Sequence, residues 1–224
     1  MADSETDVLG PFRQLLSVER DVLVLSVAMF GFSLGFQMTT RYLPQYMSVL
    51  GASAAVIGLF GTFQNVISTV YPYPGGALSD RLGSRRSLTL FGLVSTLGFL
   101  IWLVAPALGR PTIAGLTVEP WVWLFVGLVF AQAWKSLGLG ATFAIVKQSV
   151  PPARLARGFA STEVFRRTAF LLGRLLAAGL LAATPEFTAG FQTVLAVAVV
   201  FGAVATALQH ILYEPADTRL GSSF

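Results

Sequence analysis

Six charged side chains stand inside apolar sequence: Arg41, Lys135, Glu163, Arg166, Arg167 and Arg174. At membrane depth a charge costs at least about 2.5 kcal/mol on insertion scales, so such groups pair, face water or meet a ligand. Glu163 precedes Arg166 and Arg167 by three and four residues, the favoured order for a helical ion pair, and the trio is expected to form a cytoplasmic latch. At 1.5 Å per residue Arg166 and Arg167 lie about 10 Å into their span, within snorkelling reach of the surface. Arg174 lies about 22 Å along the same helix, too deep for that. With Glu163 taken, Arg41, Lys135 and Arg174 have no acid left in these spans. An anionic solute, acids from a partner bundle or water in an open cavity would each offset them.

These charges belong to polar stripes at helical spacing. Gln37, Thr40, Arg41 and Pro44 form one; Gln64, Asn65, Ser68 and Thr69 a second; Gln132, Lys135, Ser136 and Thr142 a third; Glu163, Arg166, Arg167, Phe170 and Arg174 a fourth. Two further apolar runs carry little beyond hydroxyls such as Ser95, Thr96 and Thr206. Hydroxyl and amide groups in membranes commonly serve as glue between helices. Cations do not, so four spans are expected to gather around something polar with the third and sixth outside them.

The elements that must hold these stripes are membrane-length. Of 224 residues 54% are hydrophobic and 12% charged, where a soluble domain carries about a quarter charged. Six spans are expected: Val22–Tyr46, Ala54–Leu78, Ser87–Ala107, Trp121–Gln148, Phe159–Ala183 and Phe187–Tyr213, each long enough to cross about 30 Å of hydrocarbon. Residues 1–21 read as a cytoplasmic segment without a signal peptide's basic start, and 214–224 as the start of a linker or tail. The net charge of +4 does not signal nucleic acid, because the basic residues cluster beside or within apolar spans. Placing the N-terminus inside puts Arg13, Arg20, Arg81, Arg85, Arg86, Lys147, Arg154, Arg157 and Arg219 on the cytoplasmic side and Arg110 outside. Both termini are then cytoplasmic, and Trp102, Trp121 and Trp123 flank the outer loop as interfacial aromatics. Pro44, Pro72 and Pro74 permit kinks.

Other chemistry finds no residues. The chain has no cysteine and one histidine, His210, near the inner end of the sixth span. There is no metal-ligand cluster, phosphate-binding loop or nucleophile–base pair, so neither cofactor nor enzymatic activity is expected.

The densest charge lies in Gly75-Gly76-Ala77-Leu78-Ser79-Asp80-Arg81-Leu82-Gly83-Ser84-Arg85-Arg86, between the second and third spans. Asp80 there can cap a helix N-terminus or pair with an arginine. The stretch resembles the signature loop of the major facilitator superfamily, G-x-x-x-D-R-x-G-R-R. Gly76, Asp80, Arg81, Gly83 and Arg85 match, Ser84 departs, and Arg86 adds a charge one place later. Lys135-Ser136-Leu137-Gly138 resembles the family's fourth-helix motif with lysine for arginine and one residue fewer before the glycine. Gly173-Arg174-Leu175-Leu176-Ala177-Ala178 resembles the fifth-helix antiporter motif, with Arg174 in the place of proline.

The resemblance implies an all-α membrane protein, one six-helix half-bundle of the major facilitator fold. It implies a gating loop at Gly76, Asp80, Arg81, Gly83, Arg85 and Arg86. It also implies a substrate path among Gln37, Arg41, Gln64, Asn65, Gln132, Lys135 and Arg174. The expected activity is that of half a secondary transporter in the cell membrane, moving a small, anionic solute by alternating access. The second six-helix half would be a copy of this chain, a separate chain or a C-terminal continuation. The rival reading is a non-transporting scaffold or receptor on the same half-bundle.

Overall fold

The structure, a computed structural model, describes residues 20–113, 115–138 and 155–212. The N-terminal segment up to residue 19, Thr142, Lys147, Arg154 and the tail from residue 213 lie outside the described residues.

The first span is broken where a single helix to Tyr46 was expected. Helix α1 (Arg20–Thr39) ends as Thr39 and Thr40 donate their hydroxyls back to the carbonyls of Gly35 and Phe36, at 3.0 and 2.7 Å. Such back-bonding loosens a helix turn. Helix α2 (Leu43–Val49) then restarts with Pro44 in its first turn, bent 44° from α1. The second span bends too. Helix α3 (Ala54–Val70) opens on Ser53, whose Oγ accepts the Val56 N–H, and meets α4 (Pro72–Leu82) at a 41° bend. Pro72 and Pro74 remove two backbone donors at that joint. The Tyr71 hydroxyl ties the bend to the fourth span by donating to the Val129 carbonyl at 2.9 Å.

The signature stretch is helical almost throughout, which corrects the expected loop between Leu78 and Ser87. Helix α4 carries Asp80 and Arg81 on its last turn, Gly83 reverses the chain alone at φ 78° and ψ 156°, and α5 (Ser84–Val104) starts at once. That combination of angles is comfortable only for glycine.

Beyond α5, a two-residue ribbon pairs β1 (Thr112–Ile113) with β2 (Leu116–Thr117), and Arg110 is ion-paired to Glu119 beside it at 3.0 Å. Helix α6 (Val122–Gln132) runs directly into a π-helical turn, Ala133–Leu137. Two long helices complete the described chain, α7 (Leu155–Ala182) and α8 (Phe187–Leu212). Helix α7 is unbroken through Arg174, where the resembled motif has proline. Arg85–Val104 and Phe187–Leu212 are each apolar and long enough to cross a bilayer, as is each bent pair taken as one span.

Packing explains why the third and sixth spans stand apart from the polar stripes. Helices α5 and α8 interlock through two reciprocal pairs of small residues: a Cβ on Gly92 would strike Thr206, and one on Gly202 would strike Thr96. Both threonine hydroxyls are satisfied by their own helices, at the Gly92 and Gly202 carbonyls. On its other flank α5 meets α6 at Gly98 and Gly127, where the Ser95 hydroxyl donates to the Ala131 carbonyl at 2.6 Å. Trp102 belongs to this crossing. It is 1% exposed and its indole N–H donates to the Leu124 carbonyl at 2.9 Å, so it is a core residue and not the interfacial aromatic expected. Phe32 stacks on Trp134 at 4.5 Å and Phe36 meets Phe99 edge-on at 5.1 Å, joining α1 to the fourth and third spans.

Candidate functional site

A cavity of about 950 Å³ opens between α1, the π-helical turn and α7. Helical spacing puts the lining residues there. From the first span Met29, Ser33, Phe36, Gln37 and Thr40 recur at three- and four-residue intervals, and Arg41 follows in the turn. From α7 the row is Phe159, Thr162, Glu163, Arg166, Phe170 and Arg174. The rows come close because Gly173 has no side chain: a Cβ there would sit against the Leu34 carbonyl and Gln37.

The fourth span contributes Trp134 and Lys135, both on the π-helical turn. A turn closed by i→i+5 bonds rotates each residue less than an α-helical one, so side chains after it leave the α-helical register. Gln132 and Ser136 accordingly point into the bundle, at 1% and 5% exposure, while Lys135 is exposed to the cavity. The expected common face of Gln132, Lys135 and Ser136 is therefore divided, and Gln132 does not line the cavity. Its Oε1 is buried without a hydrogen-bond partner among the described residues.

Glu163 is fully engaged. Arg166 donates Nε to Oε2 at 2.8 Å and Nη2 to Oε1 at 2.7 Å, and Arg167 donates Nε to Oε1 at 2.6 Å. Both guanidinium groups also lie against the Phe170 ring, 5.2 and 5.7 Å from its centroid. Arg41, Lys135 and Arg174 form no ion pair among the described residues. Lys135 has the Phe36 ring beside it, 6.0 Å from its Nζ to the centroid. The cavity thus gathers three cations without an acid and a fourth, Arg166, already paired.

The ion trio can be tested by itself. Glu163→Gln keeps the shape and removes the charge from between two arginines. Because the pair is half-exposed, the expected loss is about 1 kcal/mol of stability. Arg166→Gln added to it should recover part of that loss, and a double-mutant cycle in thermal unfolding measures the coupling. Additive effects would show that the trio holds nothing together.

Residues 10–222, nearly the whole chain, match the family pattern described as Major Facilitator Superfamily. The chain belongs to the major facilitator superfamily. Two proteins of Mycobacterium tuberculosis, from strains CDC 1551 and H37Rv, carry names as MFS-type transporters. Each is 31% identical to it over 185 residues, 82% of this chain and 40% of the relative. The chain therefore spans less than half the length of the relatives it matches. Its architecture is the all-α membrane half-bundle of the superfamily, with four segments among the described residues long and apolar enough to cross a bilayer when each bent pair counts as one.

The superfamily's signature stretch lies apart from the cavity. Asp80 is exposed and joins no ion pair among the described residues, so the expected contact with an arginine is not made among them. Arg81 and Arg86 are exposed as well. Arg85 instead caps the sixth span: its Nε and Nη2 donate to the His210 carbonyl at 3.0 and 2.6 Å, on the last turn of α8. Thr89 donates its one hydroxyl proton to the Arg85 carbonyl, so across its 3.1 Å contact with His210 it accepts from Nδ1–H. Gln64 and Asn65 do not reach the cavity either. Helix α3 packs by Phe60 and Phe63 on Phe125, and Asn65 is exposed.

Sequence reasoning found Gln37, Arg41, Lys135 and Arg174, and the structure brings all four to one cavity. It missed Met29, Ser33, Phe36, Trp134, Phe159 and Thr162. All but Trp134 were within reach, since Met29, Ser33 and Phe36 continue the Gln37 row and Phe159 and Thr162 the Glu163 row. Apolar rings in an apolar span gave no contrast by which to notice them.

Proposed function

We propose that this chain is one half of a secondary transporter that moves a small anionic solute by alternating access. The observation that carries this reading is the cavity in which Arg41, Lys135 and Arg174 converge while Glu163 is consumed by Arg166 and Arg167. Unpaired cations at membrane depth are costly and mark paths for ions or substrates. The bends at Thr40–Tyr42 and Tyr71 supply joints at which the first two spans could change direction.

In this reading the six-span unit, residues 22–213, lies in the cell membrane with both termini cytoplasmic. Residues 1–21 precede it on the cytoplasmic side and 214–224 begin a linker or tail. A second six-helix bundle, from this chain, another chain or a C-terminal continuation, closes the cavity and meets the exposed stripe of Gln64 and Asn65. Asp80 on the last turn of α4, without an ion pair among the described residues, is the group that bonds across to that bundle and holds the outward-facing state. The trio of Glu163, Arg166 and Arg167 acts beside it as the cytoplasmic latch.

The test is flux in vesicles containing the chain together with its second half. Lys135→Gln should lower anion flux by about tenfold or more, as expected for losing a charge that contacts the solute. Asp80→Asn should lower flux while leaving membrane insertion intact. Unchanged flux in Lys135→Gln would assign the lysine to the interface between bundles; unchanged flux in Asp80→Asn would remove the latch.

A further inference from the structure

We propose that the cavity selects amphipathic carboxylates with a flat aromatic body over small hydrophilic anions. This rests on the anionic-solute reading and narrows it to a chemical class. The charged donors reach the cavity from three spans, Arg41 from the first, Lys135 from the fourth and Arg174 from the fifth. Lys135 reaches the cavity, and Trp134 beside it also lines the cavity, is 7% exposed, and has an indole N–H with no acceptor among the described residues. The Lys135 ammonium at the cavity wall takes a carboxylate oxygen as a charge-assisted acceptor.

The remaining wall does not suit a hydrated anion. Phe36, Phe159 and Phe170 face the same space. Thr40 and Thr162 give their hydroxyl protons to the Phe36 and Phe159 carbonyls, at 2.7 and 2.9 Å, and so offer acceptors rather than donors. Inorganic phosphate has an oxygen on every side, each seeking a donor, and would leave the rings against water. A carboxylate concentrates its charge at one end. Its ring can lie where rings and cations already associate, as Arg166 does with Phe170 at 5.2 Å and Lys135 with Phe36 at 6.0 Å. The volume of about 950 Å³ also suits an organic ligand rather than a single oxyanion.

The experiment is equilibrium binding to the purified full chain in lipid nanodiscs, with naphthoate, naphthamide, acetate and inorganic phosphate as probes. Naphthoate is expected to bind at least about tenfold more tightly than acetate or phosphate, from the apolar area its rings bury. Phe170→Leu is expected to weaken naphthoate about threefold while leaving acetate unchanged. Acetate or phosphate binding as tightly as naphthoate, or an equal loss for both carboxylates in Phe170→Leu, would overturn the aromatic selectivity and leave the anionic reading standing. Naphthamide binding as tightly as naphthoate, or no binding by any of the three anions, would overturn both.

Discussion

Gly75→Val should destabilise the half-bundle more than any other change in the signature stretch. Gly75 is buried, and a Cβ there would fall on the carbonyl oxygen, Cα and carbonyl carbon of Leu137. Those atoms belong to the π-helical turn that carries Lys135, and backbone cannot move aside as a flexible side chain can. Overpacking typically costs 1–3 kcal/mol, and a clash with backbone belongs at the upper end, about 3 kcal/mol. On the scaling of domains this size, the thermal midpoint should fall by roughly 6–12 °C. Gly76→Ala is the control, because no described residue lies within 4 Å of a Cβ at that position. In a helix it should leave stability unchanged or raise it by about 0.5–1 kcal/mol. A Gly75→Val midpoint equal to that of Gly76→Ala would show that α4 and the fourth span do not pack as described.

That contrast marks the boundary of what sequence could reveal. The family pattern singles out Gly76, but the close approach within this half is made by Gly75, one position earlier. The signature fixes a chain reversal, and the reversal is there, at Gly83. It gives no sign that helix continues through Asp80, because helical propensity and a charged last turn are compatible on both accounts. Spans three and six were legible to within a few residues, since long uninterrupted apolar runs leave few alternatives, and span five was legible from the helical spacing of its charges. The proline positions announced a bend at Tyr71 and a restart at Leu43, although not their angles.

The π-helical turn left no trace in the sequence. Ala133–Leu137 contains neither proline nor glycine, and its apolar and polar residues fit an α-helical stripe well enough to suggest that Gln132 and Lys135 share a face. Only the observed register separates the buried glutamine from the lysine in the cavity. The stripe of Gln64 and Asn65 misled for another reason. Periodicity shows that residues share a helix face, not what that face meets, and here it meets no other element of this half at the cavity.

The charges, by contrast, were legible because they are so few. Arg41, Lys135 and Arg174 stood out against apolar spans, and the structure adds the reason they lack an ion pair among the described residues: Glu163 already accepts three hydrogen bonds from Arg166 and Arg167. From that arrangement the largest functional effect is expected at the two deep positions. The measurement is naphthoate affinity against ionic strength, for the wild type, Lys135→Gln and Arg174→Gln in the same nanodiscs. An anion held by these cations should bind about tenfold more weakly after either change, the loss for one charge-assisted contact of about 1.4 kcal/mol, and salt should then weaken it less steeply. Unchanged affinity and an unchanged salt slope in both variants would contradict the account and place Lys135 and Arg174 against a partner bundle instead of a solute.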